Sequence, residues 1–438
     1  MGRQRYLDRI IYPTHSISYE QVYKMINLKM DLRLLSLLVC LPTYVSAGPI
    51  FIEDLQDLSV YSYTYATTGA DSSVNGSLMS GGVGTSGAGG SVSGDFTAVG
   101  AITIGGISST GKIATVGGNM TSGGVLTTGD HSEVGGDVTA AGAATVGAGG
   151  GVSGNLAAAG AVTTGAASQV DGNVEAGGAA SIGVGGSVGG TVAAVGVYTE
   201  DANSEPQSSI VIENNPVDAA VLVAGLINTV DDNKNQILAA QLAFSQMVTT
   251  EILSATMPAD LTLLSGVYEA PSFSTTASRT LTLDGQNKKD QYWVFNIGDI
   301  LKMGAGSKIV MVNGANSDNV IWNAGGNADF GDGSSFLGTL LARDYIHVGA
   351  NAKALGPGGS CGGLFSALSY VSTGDAAQIG GDGCSGIASG FHVDSDSGVA
   401  YHAASVQVAE PPMWALWISA FGFLGLSIRR KRTALVAA

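Results

Sequence analysis

Residues able to do chemistry are few in this sequence, and they are scattered. His131, His347, His392 and His402 stand at no spacing that would bring two imidazoles to one metal ion. No serine lies in a Gly-x-Ser-x-Gly elbow between a strand and a helix. Without a positioned acid, base or nucleophile the chain is not read as an enzyme, and no cofactor is expected. Asp394-Ser-Asp396-Ser-Gly398 has the oxygen-rich opening of a calcium loop, but its glycine comes one place early and the closing glutamate is absent. A solvated turn is the expectation there. Cys361 and Cys384 are too few to hold a metal; in glycine-rich loops of an exported chain they are expected to form a disulfide. The remaining group is a regular one. Thr85, Thr103, Thr127, Thr145, Thr163 and Thr199 recur in one column with Ser181 in its gap, and Thr97, Thr121 and Thr139 recur six residues earlier in each repeat. Six residues place the two columns on different faces, so they make no paired strip, and a hydrogen-bonded threonine ladder at coil edges is the simplest reading.

What must position these hydroxyls is a repeat. From Val74 to Thr199 the sequence divides into six-residue units grouped in eighteens, with valine markers at Val74, Val92, Val116, Val134, Val152, Val170 and Val188. The interval from Val92 to Val116 is longer by one unit, assigned to Thr110–Thr115. Three short faces per turn predict a triangular β-solenoid whose coils stack at about 4.8 Å, none of which could fold alone. Asp95, Asn119, Asp137, Asn155 and Asn173 recur at one position and are expected to form a side-chain ladder. The repeated Val-x-Gly-Asp/Asn-Val phrase resembles bactofilins and hexapeptide-repeat solenoids.

Composition agrees with a repetitive, exported chain. Among 438 residues there are 66 glycines and only 12% charged side chains, and the formal charge of −16 repels phosphate backbones. Nucleic-acid binding is excluded on that ground. Arg33, the apolar run Leu34–Leu41 and Tyr44-Val45-Ser46-Ala47 have the order of a secretory signal, with cleavage expected after Ala47 and with Cys40 removed. At the other end an apolar run from Trp414 to Ile428 precedes Arg429-Arg430-Lys431-Arg432. With Ala409-Glu410-Pro411 before it, this tail resembles the PEP-CTERM sorting signal, with Ala409 where that family has its first proline. The resemblance implies an exosortase-type processing enzyme as partner and a cell-surface or extracellular product; a lasting membrane helix is the alternative.

Beyond a polar stretch at Glu200–Ser209, Asn215 and Pro216 are expected to open a long helix. Its apolar positions run through Leu222, Leu226, Ile237, Leu242, Phe244, Val248 and Ile252 to Pro258, with Asp231-Asp232-Asn233 as an interruption. Short strand-like runs follow. Leu264-Ser-Gly-Val-Tyr268, Leu281-Thr-Leu-Asp284, Trp293-Val-Phe-Asn-Ile297, Val312-Asn-Gly-Ala315, Asn319-Val-Ile-Trp322 and Gly338-Thr-Leu-Leu-Ala342 resemble the successive phrases of DUF3494 ice-binding proteins. The resemblance covers roughly Asp218 to Thr373, and Leu55 to Ser77 is similar to that family's opening strands.

That resemblance implies a mainly β fold, a β-helix with one long helix alongside, here carrying an inserted triangular β-solenoid. The expected division is 1–47 N-terminal extension and signal peptide, 48–73 opening strands, 74–199 inserted solenoid, 200–214 linker, and 215–384 β-helix with its helix. A linker at 385–408, the sorting segment at 409–432 and a tail at 433–438 complete it. The resemblance also implies ice binding through a flat face carrying small side chains and threonine, whose methyl and hydroxyl share one stiff position. Thr280, Thr282 and Thr339 are the candidates in the C-terminal half, where Lys302-Met303 and His347 would disturb a flat face; the repeat column from Thr85 to Thr199 is the alternative. Two readings stay open: a protein whose partner is the ice crystal surface, and a structural solenoid of the envelope or exopolysaccharide matrix that self-associates through its coil ends.

Overall fold

Each eighteen-residue repeat makes one coil of three short strands. Glu133–Val134, Val138–Ala140 and Ala144–Val146 are such a set, and along each the side chains alternate between core and surface. The valine markers Val74, Val92, Val116, Val134, Val152, Val170 and Val188 all point inward and are at most 1% exposed. They stack into one buried file, each worth roughly 1.5–3 kcal/mol of removed apolar surface. At one corner the expected ladder forms. The Asn119 N–H donates to Asp95 Oδ1 at 2.7 Å, Asp137 N–H to Asn119 Oδ1 at 2.8 Å, Asn155 N–H to Asp137 Oδ1 at 2.7 Å and Asn173 N–H to Asn155 Oδ1 at 2.9 Å.

The computed structural model describes residues 48–50, 55, 58–212, 214–288, 290–354, 363–380, 390–394 and 397–402. Within these the coils form one unbroken stack in which sequence order and spatial order differ. The opening coil, Leu58–Ser62, Ala66–Thr68 and Ser73–Val74, lies in the middle. On one side Ala66 pairs in parallel with Gly84 of the first repeat; on the other it pairs with Val371 of the last C-terminal coil. The repeats thus extend the C-terminal β-helix through the opening coil. One face of the stack is a single sheet of fourteen strands; the other two faces join into a sheet of twenty-seven through Ser187–Ala194, which pairs with both Gln169–Val170 and Val174–Ala176.

Several sequence expectations shift. The expected linker at 200–214 contains the outermost coil, because Glu205–Val211 pairs along Ser187–Ala194. Pro206 is tolerated on this strand, whose outer edge needs no donor. The extra six residues occupy 107–112 rather than Thr110–Thr115. Gly106 still accepts from the Gly89 N–H, and Thr115 and Val116 already pair with Ser91 and Val92. They form a corner loop, closed by the Ser108 N–H on the Lys112 carbonyl and tied down by Thr110 Oγ1 on Asp71 Oδ2 at 2.9 Å. Hydrogen bonds from Ser108, then from Thr110, hold the Asp71 carboxyl below its usual range.

The helix runs from Ala219 to Ser245 and is capped by Asp218, whose side chain accepts from the Ala220 and Val221 N–H groups, each at 3.1 Å. Asn215, the expected cap, instead accepts from the Val217 N–H and donates to the Ala159 carbonyl. Asp231-Asp232-Asn233 does not interrupt the helix; it docks it. Tyr61 Oη donates to the Val230 carbonyl at 2.6 Å, Lys234 pairs with Asp231 at 2.6 Å and lies 4.6 Å from the Tyr63 ring centre, and Asn233 is fully buried against Met79. The helix ends at Ser245 rather than near Pro258, since Glu251–Ile252 starts the first C-terminal coil. Val248 and Ile252, taken as helical core, are 89% and 73% exposed.

The C-terminal coils enclose a wider core filled by aromatic rings. Phe295 stacks on Trp322 at 3.9 Å between centres and Phe330 on Phe336 at 4.4 Å. A small antiparallel sheet sits beside the helix, with Gly48–Pro49 paired to His392 and Val393, and Phe391–Val393 paired to Ala400–His402. Phe391 packs on Phe244 of the helix and His402 stacks on Tyr292 at 5.2 Å. Burial pushes the His402 imidazole below its usual range; Asp290 opposes that shift and His392 adds to it.

Candidate functional site

The repeat column meets its environment on the fourteen-stranded face. Thr199, Ser181, Thr163, Thr145, Thr127, Thr103, Thr85, Thr67 and Ser372 are partners in successive parallel pairs and form one file across nine coils. Each is the central residue of a three-residue strand, and from Ser181 to Thr67 both of its neighbours are buried, so its side chain stands outward; Thr199 and Ser372 continue the register at the two ends. Eight intervals of about 4.8 Å make the file about 38 Å long.

The hydroxyls of this file do not bond to one another. Among the described residues no protein group engages the hydroxyl of any member from Thr199 to Thr67, and only Ser372 has a partner, His347 Nδ1 at 3.0 Å. Neighbouring threonines are used differently. Thr68, Thr128 and Thr164, one residue further on, turn inward and bond to Ser86 or to a backbone N–H of the next coil. The outward hydroxyls therefore remain available to water.

What flanks the file keeps it flat. On one side run Val83, Ala101, Val125, Ala143, Ala161, Ala179 and Val197, aligned by backbone bonds such as Gly84 N–H to the Ala101 carbonyl and Leu126 N–H to the Ala143 carbonyl. On the other run Gly69, Gly87, Gly105, Gly129, Gly147, Gly165 and Gly183. A Cβ at Gly147 would collide with the backbone of Gly129, and one at Gly105 with that of Ala88. The coils stack too closely there for any side chain, which explains that glycine column. Between Ser181 and Thr67 no charged residue lies within these three columns; at the outer end Asp201 takes the glycine position beside Thr199.

The same sheet changes character in the C-terminal coils. Below Ser372 the outward file continues as His347, Asp329, Lys302, Ser274 and Thr256. The flanking column becomes Tyr65, Tyr370 and Tyr345, stacked at 4.5 and 5.2 Å and nearly parallel. Burial, and then the neighbouring Asp329, raises the Tyr345 phenol above its usual range; for Tyr370 the causes are burial and then Tyr65. Lys302 and His347 stand outward as expected, but Met303 is turned into the core at 3% exposure.

The candidates taken from the C-terminal half are not brought together. Thr339 is 1% exposed and pairs with Ile321, itself buried beneath the helix, so it cannot face a solvent lattice. Thr280 and Thr282 do lie on one outer face, but Thr280 pairs with Lys308 and the file through Thr282 is Thr262, Thr282 and Val310. Thr97, Thr121 and Thr139 are on the helix-side face, where the file passes on to Ala157 and Glu175. The third outward file includes Glu133 and Gln169. Cys361, Cys384 and Asp396 lie outside the described residues. Among those described, no three of His, Cys, Asp and Glu converge to hold a metal ion, and no helix is long and apolar enough to cross a membrane. The apolar run Trp414–Ile428 lies outside them.

A β-helix flanked by one helix, with phrases in the order quoted above, is now joined by a direct match. Residues 173–372 match the ice-binding-like family model. The chain is 37% identical over 98 residues to ice-binding protein 1 of Shewanella frigidimarina, covering 22% of this chain and 11% of that protein. It is 41% identical over 88 residues to an ice-binding protein of Nostoc sp. strain HG1, covering 20% and 31%. For ice-binding protein K3-B1 of Typhula ishikariensis the figures are 35% over 85 residues, 19% and 34%. The chain therefore spans between 11% and 34% of the length of these curated relatives. Solved structures include an ice-binding protein from an Antarctic biological consortium (TM-score 0.36, 14% identity, 76% of this chain and 90% of that one). That of Antarctomyces psychrotrophicus gives a TM-score of 0.31 at 22% identity, over 46% and 90%.

The glycine and alanine/valine columns were not singled out in the sequence, although both repeat with the same period as the threonines. The signal was present two residues on either side of the file members from Thr85 to Ser181.

Proposed function

We propose that this protein is exported and binds ice crystals through the threonine strip between Thr199 and Ser372 on its fourteen-stranded sheet. The observation that carries the reading is the file from Thr199 to Ser372, in which successive hydroxyls stand at a constant repeat and those down to Thr67 have no protein partner. Ice offers no charge and no pocket-sized ligand, only a periodic array of water oxygens. A surface recognises it by holding water at a matching period over many repeats. Threonine suits this because its hydroxyl bonds a water while its methyl, with the adjacent Ala/Val column, disfavours disordered liquid. A lysine or aspartate, such as Lys302 and Asp329 on the lower coils, would instead order water around its own charge.

The names of the matched relatives support the same ligand. In this reading, residues 1–47 leave during export, Cys361 and Cys384 are joined outside the cell, and the tail 409–432 is processed or retained at the surface. The test is partition of the purified chain into a slowly growing ice hemisphere, together with thermal hysteresis. Incorporation into the ice supports the function, and exclusion from it at every concentration rejects it.

A further inference from the structure

The repeat block extends the family-type β-helix in a particular way, and the way it does so points to a role for the repeats themselves. Their outward file does not start afresh. Thr85 pairs with Thr67 of the opening coil, and Thr67 pairs with Ser372 of the last C-terminal coil, so the register crosses the junction without a slip. A slip of one residue would have turned the threonines inward.

The one irregular coil makes the same point. Its six additional residues are expelled at the corner, 107–112, and Thr103 keeps its partners Thr85 and Thr127. The file is thus preserved where the spacing in sequence is not. Below the junction the face carries Tyr370, Tyr345, His347, Asp329 and Lys302, so the uncharged strip cannot lengthen in that direction. Length is added only by the repeats.

From this we infer that the eighteen-residue coils are a length-setting module for ice contact: each adds one hydroxyl rung to a strip that begins at Ser372, and the number of coils sets the strength of ice adhesion. This rests on the ice-binding reading above and deepens it. The stack permits such a role because the strands of each repeat coil pair only with those of its two neighbours, so coils can be gained or lost in register. Binding to a periodic surface grows steeply with the number of aligned contacts, because each added rung is held at almost no further cost in orientation.

Whole coils can be removed without breaking the pattern. Deleting 134–151 joins Glu133 to Val152 and removes the Thr145 rung, and deleting 134–169 joins Glu133 to Val170 and removes Thr163 as well. Deleting 107–112 joins Gly106 to Ile113, restores a regular coil and removes no rung. All three are made in the full chain, with circular dichroism and thermal unfolding confirming cooperative folding. The expected order of ice incorporation and thermal hysteresis is unaltered chain equal to the loop deletion, then the one-coil deletion, then the two-coil deletion. Equal activity in all three deletions would overturn the length-setting role while leaving ice binding intact, and so would loss of activity in the loop deletion alone. If the unaltered chain fails to enter ice, the functional reading falls and this inference with it. Should a coil deletion fail to fold, Ser181→Lys and Thr163→Lys replace it: they leave uninterrupted runs of seven and six rungs ending at Ser372, with the same graded order expected and equal activity again overturning it.

Discussion

Thr127 is the fifth of the nine members of the outward file, with Thr199, Ser181, Thr163 and Thr145 above it and Thr103, Thr85, Thr67 and Ser372 below. Replacing it with lysine cuts the strip into two runs of four. The longest uninterrupted stretch falls from about 38 Å to about 14 Å at the strand spacing of a parallel sheet. The new ammonium also holds a hydration shell in the middle of the face. The fold should tolerate the change, since the side chain stands outward between Thr145 and Thr103. Two cross-strand pairs are lost, costing roughly 0.2–1 kcal/mol each. Ice incorporation and thermal hysteresis should drop to near background, while the midpoint of thermal unfolding moves by a few degrees at most. Thr115→Lys, on an outward file that already contains Glu133, is the matched control and should leave ice activity unchanged. Full ice activity in a folded Thr127→Lys protein would refute the assignment of this face.

Thr282→Lys, on the short file of Thr262, Thr282 and Val310, should not alter ice activity; loss of activity there would return the site to the C-terminal half. Tyr61→Phe removes the buried hydrogen bond to the Val230 carbonyl and should cost about 0.5–1.5 kcal/mol in denaturant unfolding, detaching the helix first by hydrogen exchange. Because burial lowers the His402 pKa, the unfolded chain binds the proton more readily. Stability conferred by neutral His402 is therefore complete above the ordinary histidine pKa of about 6.5 and is lost as pH falls toward the folded value. Release of the 391–402 hairpin, read by limited proteolysis at pH 7.5 and pH 5, should accordingly rise in acid, and His402→Phe should remove the difference. Intact mass after alkylation without reductant should show Cys361 and Cys384 unmodified.

Much of the fold was legible because the repeat is a physical period. Valine every eighteen residues can only stack inward, and the Asp/Asn position can only ladder once the coils are in register, so both followed from spacing. The length of the helix was less legible. Val248 and Ile252 continue the apolar periodicity, yet they lie beyond a helix that ends where the chain must turn into the first C-terminal coil. Asp231-Asp232-Asn233 read as a break for a related reason: local polarity suggested solvent, whereas Tyr63, Lys234 and Met79 supply partners from 150 or more residues away in sequence or one helical turn along. Thr339 misled because alternation names two sides of a strand without saying which is covered. Only the helix, placed by contacts between Gln241 and the Ala324 and Leu341 carbonyls, reveals that this side is closed. The site itself was visible as a column but not as a surface, since the coil order that joins Thr67 to Ser372 is set by a pairing across 305 residues.

The pairing of Gly48–Pro49 with the hairpin at 391–402 has a bearing on how the molecule would be held. That sheet packs through Phe391 and His402 against Phe244 and Tyr292, on the side where the helix runs. The threonine file belongs to a different face. A load applied through either the N-terminal or the C-terminal connection would therefore enter at one clamp, away from the surface proposed to grip the crystal. Tension would pull on the small sheet and the helix before it reached the stacked coils.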